Sequence, residues 1–309
     1  MNPGIHYDLD EKTYRDLPYA HVSGLKNIAN SPAYYRWKKD HPTVSDAMIQ
    51  GSAVGHLLAY GWESYLTKYV TAPASPESLP DWCEYIPPPF TGLKKADKEL
   101  IAAKAAEGIT IVKDSDFGLE GLKPSTNAGE AWVANAKKHG LQPLTAETSY
   151  NVEMTIAAIR RHPLAGPIVE TARHEVSVIW DDEETGVRCK GRIDLMRDGR
   201  LDDLKTTQDC RAFNRTVERY CYHWQAAMYL DGAIANGMSP DLEWGWIVAE
   251  PHTTFRVEVS EPLSIADIEV GRDEYRAALR LYKRCMDADS WPASAGVPVR
   301  YGLSRWYGK

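Results

Sequence analysis

Gly191-Arg192-Ile193-Asp194-Leu195-Met196-Arg197-Asp198-Gly199-Arg200-Leu201-Asp202-Asp203-Leu204-Lys205-Thr206 places an Asp-Gly pair between two segments that mix apolar and charged residues. Asp-Gly is a favoured pair for a two-residue hairpin loop, in which both central residues take positive φ. With Asp198-Gly199 as the loop, Arg197 pairs with Arg200, and counting outward sets Asp194 opposite Asp203. Lys205 then shares the face of Asp203, because strand side chains alternate, while Asp202 points the other way beside Leu195. Like charges opposed across a ladder destabilise it, so a compensating group is expected. A hard cation such as Mg²⁺ takes carboxylate and carbonyl oxygens. A lysine beside such acids can polarise an attacking water or stabilise charge that builds on phosphate. Two acids and a lysine at this spacing suit phosphodiester hydrolysis. A wet surface hairpin can carry the same residues by chance. Ile193, Leu195, Leu201 and Leu204 argue instead for buried strands, where charge requires compensation.

Working outward, Glu175 to Trp180 alternates Val176, Val178 and Trp180 against Glu175, Ser177 and Ile179, which predicts a strand. A turn at Asp181–Gly186 follows, then a strand over Val187–Met196, the hairpin, and a strand over Leu201–Thr206. The pattern predicts one helix over Arg215–Ala235, strands over Glu243–Glu250 and Thr254–Val259, and an amphipathic helix over Ile265–Met286. Residues 1–70 read as mostly helical. Apolar positions Val22, Leu25, Ile28 and Ala29 are interrupted at Ser31-Pro32, where a second helix starts. Another helix covers Gly51–Tyr65, whose Gly51, Ser52, Ala53 and Gly55 leave room for a close neighbour or ligand. Prolines 73, 76, 80 and 87–89 mark loops in residues 71–128, which read as an insertion or a flexible lid, with a Lys/Ala-rich helix between Leu93 and Glu107. Helices return over Asn127–Ala172. The expected organisation is a single domain over 1–309, with a core at 127–290 and a tail at 291–309.

The chain has 309 residues, 43% hydrophobic and 26% charged, enough to bury a substantial core. No run approaches the ~20 apolar residues of a membrane helix, and the start lacks a signal-peptide pattern. The expectation is a cytoplasmic protein of a bacterial cell. Five scattered cysteines without a C-x-x-C pair argue against a zinc site or disulfide framework. The net charge of −7 disfavours nucleic-acid binding in general, although a local basic groove still holds phosphates.

Four motifs in order carry a family resemblance. Asp194 with Asp203-Leu204-Lys205 resembles the D…(D/E)-x-K signature of the PD-(D/E)XK nucleases, whose restriction-endonuclease-like core is a mixed α/β sheet flanked by helices. Gln225-Ala226-Ala227-Met228-Tyr229 resembles the Q-x-x-x-Y motif of the RecB-type branch. Gly51 to His56 resembles its G-x-x-x-H helix, and Ser23-Gly24-Leu25 … Ser31-Pro32 its opening S-x-L … (C/S)-P motif. Gly4-Ile5-His6-Tyr7-Asp8, Thr126-Asn127-Ala128-Gly129, the Glu175 strand with its Glu184-Thr185-Gly186 turn, and Leu303-Ser304-Arg305-Trp306 are similar to the RecE-type exonucleases. Residues 79–124 lie outside that resemblance.

The resemblance implies metal ligation by His56, Asp194, Asp203 and the Leu204 carbonyl, with Lys205 catalytic. Gln225 and Tyr229 would orient the site or the DNA backbone, and Glu175 would support it. A histidine ligand makes Mn²⁺ a plausible substitute for Mg²⁺. Ser31 stands where cluster-bearing members carry cysteine, so no iron–sulfur cluster is expected. The family's activity is 5′-to-3′ resection of linear duplex DNA to leave a 3′ strand for homologous recombination. Its members form ring-shaped homo-oligomers and work with a RecT-like single-strand annealing partner, often encoded by phage. Arg192 of the Gly-Arg-Ile-Asp segment, and Arg211, Arg215 and Arg219 at four-residue intervals, are candidate DNA contacts, though a solvated helix face accounts for the latter three equally well. An endonuclease or single-strand nuclease of the same fold, or a non-catalytic DNA-binding scaffold, are the alternatives.

Overall fold

Arg197 pairs with Arg200, Met196 with Leu201 and Leu195 with Asp202, so the hairpin turns at Asp198-Gly199 as its chemistry requires. The computed structural model describes residues 1–88, 90, 92, 94–118, 121–294 and 296. The 303–306 stretch and most of the expected tail lie outside the described residues. Only Gly199 of the loop pair has positive φ, 72°, and Asp198 stays outside the left-handed region, a departure from the expected turn. Glycine alone absorbs the strain.

In chain order the elements begin with β1 (Gly4–His6), α1 (Glu11–Asp16), α2 (Val22–Asn30), α3 (Pro32–Asp40), α4 (Asp46–Leu66) and β2 (Tyr69–Thr71). The next segment holds β3 (Cys83–Tyr85), α5 (Lys95–Ala106), β4 (Thr110–Val112), β5 (Phe117–Gly118), β6 (Gly121–Leu122), α6 (Asn127–Lys138) and β7 (Gln142–Leu144). Then come α7 (Ala146–Arg161), α8 (Ala165–Thr171), β8 (Arg173–Asp181), β9 (Arg188–Arg197) and β10 (Arg200–Thr206). The chain continues through α9 (Phe213–Tyr220), α10 (Tyr222–Ala235), β11 (Glu243–Ala249), β12 (Val257–Val259) and α11 (Ile265–Ala288). Ser31 breaks α2 from α3 because its hydroxyl accepts from Tyr34 N at 3.1 Å, an N-cap followed by a proline in the first turn.

A six-stranded mixed sheet in the order β1-β8-β9-β10-β11-β12 forms the centre. β10 and β11 run parallel, joined through α9 and α10; the other neighbours are antiparallel. One face packs on α2, α10 and α11 around Trp180, Leu201, Trp224, Met228, Trp244 and Leu279. The other packs on α4, α7 and α8 around Leu57, Val152, Ile159, Leu195 and Ile247. Val176 through Trp180 of β8 are buried on both faces of the strand. A smaller cluster around Val112, Leu122 and Trp132 ties the 79–124 segment to α6.

The helix expected over 215–235 is two helices. Cys221 takes left-handed geometry, φ 51°, and separates α9 from α10. Close approach of α10 to the sheet depends on Gly191, where a Cβ would sit 2.8 Å from the Tyr229 ring. Among the described residues no helix is long and apolar enough to cross a membrane.

Candidate active site

The ladder between β8 and β9 skips one position. His174 pairs with Leu195 and Val176 with Ile193, but Glu175, at φ 53°, does not pair with the intervening Asp194. The faces change there: Cys189 and Ile193 pack beneath α10, whereas beyond the irregularity Met196 does so and Leu195 joins the opposite core. The β9–β10 ladder likewise ends at the Leu195–Asp202 pair. Asp194 Oδ2 instead accepts from Leu204 N at 2.8 Å, replacing a ladder bond with a side chain. Local disruption of this kind re-aims side chains.

Re-aimed in this way, Glu175, Asp194, Asp203, Leu204 and Lys205 line one cavity of about 340 Å³ with Arg192 and, from α10, Gln225 and Tyr229. α4 supplies Gly51, Ser52, Gly55, His56 and Tyr60, and α1 supplies Glu11, Tyr14 and Arg15. Gln225 donates to Asp203 Oδ1 at 2.6 Å and accepts from Lys205 Nζ at 3.2 Å, fixing acid and lysine with one amide. Lys205 Nζ is in ion-pair contact with Asp203 Oδ2. The ammonium is thus the neighbour of Oδ2, as the Gln225 amide is of Oδ1. Arg192 donates through Nε to Glu175 at 2.6 Å and through Nη2 to the Tyr60 hydroxyl at 2.7 Å. Its Nη1 is buried and unpartnered.

Burial raises the Asp194 carboxyl well above the usual carboxylate range, reinforced by the charges of Asp203 and Glu175. Burial raises Glu175 too, against the pull of Arg192. Burial opposes the Lys205 charge, yet Asp203 and Asp194 outweigh it and hold the ammonium above its ordinary value. Burial pushes the Tyr229 phenol far up, so it serves as a neutral group. Burial and Lys68 lower His56, leaving a neutral imidazole.

His56 lines the cavity, but its Nε2 meets Ser64 Oγ at 3.1 Å. Among the described residues no three His, Cys, Asp or Glu side chains converge closely enough to hold an ion. The donor chemistry nonetheless fits a hard cation: two buried carboxylates share the cavity and crowd each other electrostatically.

Arg211, Arg215 and Arg219 stand apart from the cavity. They also do not extend the Gln225 helix. Arg211 sits in a short turn paired with Asp209 at 3.1 Å, and the other two are exposed on α9, before the Cys221 break. Residues that sequence reasoning missed are Glu11, Tyr14 and Arg15 of α1, with Lys68 and Tyr60. Lys68 bonds Glu11 at 2.6 Å, and the Arg192 guanidinium lies 5.4 Å from the Tyr14 ring centre. Their signal was tertiary, since α1 contacts a strand more than 170 residues away through Lys190.

The sequence profile described as a PDDEXK-like domain of unknown function (DUF3799) matches residues 21–298. The chain belongs to this PDDEXK-like family. Among solved structures it resembles a protein from Eubacterium rectale described as a "putative exonuclease". The two share 16% identity and a TM-score of 0.55, with 96% of each chain covered, so the likeness is one of fold. A second structure, that of SSO0001, is 16% identical with a TM-score of 0.26 over 47% of this chain and 64% of the other. No curated protein matches the chain. The mixed sheet of the PDDEXK-like domain is thus the scaffold that carries Asp194, Asp203 and Lys205.

Proposed function

We propose that this chain is a divalent-cation-dependent exodeoxyribonuclease acting on the ends of linear duplex DNA. The observation that carries the reading is the convergence of Asp194, Asp203, Lys205 and Gln225 on one cavity, with the two acids buried and Lys205 paired to Asp203. Asp194 and Asp203, with the Leu204 carbonyl and a reoriented His56, would hold Mg²⁺ or Mn²⁺. When bound, such an ion supplies Lewis-acid charge to the scissile phosphate and lowers the pKa of water.

The chain's own residues do the rest. Lys205 presents a charged ammonium where negative charge grows on the phosphate, and Gln225 keeps it in register with Asp203. Arg192, clamped by Glu175 and Tyr60, presents its free Nη1 to a phosphate oxygen. Tyr229, neutral and packed on Gly191, fixes the distance between α10 and β9. The ordered motifs at 22–32, 51–56, 194–205 and 225–229 support a RecE-type habit: 5′-to-3′ resection for recombination, a ring of subunits around DNA, and a RecT-like annealing partner.

The test compares linear duplex with covalently closed circular DNA in Mg²⁺, for the wild type and Lys205→Ala. Loss of linear DNA alone, abolished by EDTA and reduced several orders of magnitude by the substitution, is expected. Cutting of the circle would make the enzyme an endonuclease. No cleavage of either substrate would make the chain a binding scaffold.

A further inference from the structure

α3 reads Pro32-Ala33-Tyr34-Tyr35-Arg36-Trp37-Lys38-Lys39-Asp40, aromatic rings interleaved with cations. It lines, together with the segment following α1, a second groove of about 570 Å³. Five basic side chains line this groove, Arg15, Arg36, Lys38, Lys39 and Lys190, against one acid, Asp16. In a chain of net charge −7 this is a local reversal of sign.

The five cations are not equivalent. Lys190 donates to the carbonyls of Tyr14, Arg15 and Leu17 at 2.7, 3.1 and 2.7 Å, so it anchors the wall and has no proton left for a ligand. Lys38 bonds Thr43. Arg36 and Lys39 are exposed and form no ion pair among the described residues; Arg36 lies 5.2 Å from the Trp291 ring centre, and Trp291 stacks on Tyr35 at 5.3 Å. The rings that line the groove include Tyr35, Tyr282 and Trp291, whereas Trp37 lies outside its lining and stacks on His41 at 4.8 Å. Arg15 lines both this groove and the active-site cavity, so the two adjoin.

We propose that this groove binds a single-stranded segment of DNA continuous with the strand engaged in the active-site cavity. Arg36 and Lys39 hold its phosphates, and Arg15, paired with Glu11 at 2.5 Å, stands at the junction with the cavity. Cationic grooves with aromatic rings suit single strands because their bases are free to stack, whereas in a duplex the base faces are already covered. The inference rests on the nuclease reading for its direction, but binding is measurable without cleavage.

The experiment is fluorescence anisotropy in EDTA with a labelled oligothymidylate of about 20 nucleotides, longer than one such binding site. Wild type, Arg36→Ala, Lys39→Ala and the double variant are each titrated across a salt series, with melting temperatures as the control for folding. Each lost phosphate contact should reduce the slope of log K against log salt by about 0.7. If Arg36→Ala proves unstable, Lys39→Ala alone still decides. Unchanged slopes in a wild-type protein that binds and cleaves would overturn the groove and leave the nuclease intact. Reduced slopes in a protein that never cleaves would keep the groove and remove the nuclease. A wild type that binds no oligothymidylate overturns the groove outright.

Discussion

Lys205→Ala removes the only cation in contact with Asp203 among the described residues, and the consequences go beyond rate. The side chains of Lys205 and Asp203 are 16% and 2% exposed, so their ion pair is largely shielded from water. Breaking a buried pair by deleting one member costs about 3–5 kcal/mol, because the other charge stays behind unpaired. At about 2 °C per kcal/mol for a protein of this size, that predicts a fall in Tm of about 6–10 °C. The site has an outlet, however. Asp194 already binds its proton more tightly than usual, through burial and then Asp203, and losing Lys205 strengthens that tendency. The penalty should therefore be full near pH 8 and shrink towards pH 5, as proton uptake replaces the ammonium. A divalent cation at the same carboxylates would replace it as well. Differential scanning fluorimetry of both proteins, in EDTA and in Mg²⁺, reads each arm. The expected pattern is a large loss in EDTA at pH 8 and a loss at most half as large in Mg²⁺. An equal loss with and without Mg²⁺ would refute the assignment of these acids to a cation.

Three further outcomes follow from the geometry. Gly191→Ala drives a methyl to within 2.8 Å of the Tyr229 ring and should cost about 1–3 kcal/mol, seen as a lower denaturation midpoint and an altered near-ultraviolet spectrum. Asp202→Ala leaves Arg197 and Arg200, each now 2.8 Å from its carboxylate, without their buried partner; chemical denaturation should show a loss of about 3–5 kcal/mol, with the cleavage rate per folded molecule unchanged. If that rate collapses, the side of the sheet assigned to catalysis is wrong. In the metal-free protein Glu175 and Asp194 bind protons more tightly folded than unfolded, so raising pH through the window above their ordinary values removes stability. Mg²⁺ displaces those protons, so the Tm gain on adding it should grow from pH 5 to 8; a gain independent of pH would refute this linkage.

The hairpin was legible because its signal is local: an Asp-Gly pair between apolar runs sets a register, and the pairs Leu195–Asp202 and Met196–Leu201 obey it. The next step of the ladder was not legible. Nothing in the side chain of a glutamate favours φ 53°, yet Glu175 adopts it, and the strand faces exchange at that point. The same holds for Cys221, where tertiary packing breaks what the helical period alone would continue. That break also explains the arginines. A four-residue spacing implied one helix leading to Gln225, but Arg215 and Arg219 ride a separate helix with its own direction. The alternation read in β8 marked a strand correctly, yet Ser177 and Ile179 are as buried as Val176, Val178 and Trp180, which period two alone does not reveal. α1 was beyond sequence reading altogether, since its place beside the site depends on Lys190, far along the chain, gripping its last carbonyls.

The acidic balance of the whole chain and a DNA substrate are compatible once charge is assigned by place. The active-site cavity is lined by Glu11, Glu175, Asp194 and Asp203 against Arg15, Lys68, Arg192 and Lys205, a formal charge of zero. A chain of phosphates gains little from a neutral cavity, so affinity there should depend on the cation, which makes the same lining net positive by two charges. Cation and phosphate each then increase the other's affinity, and by linkage the increase is mutual. The basic groove needs no cation. Across the two, eight basic and five acidic side chains leave +3, so the remainder of the chain carries −10. Repulsion from that remainder keeps DNA off the rest of the surface, and the field favours the one path where the sign reverses. A net charge of −7 therefore serves as a selector of where DNA binds.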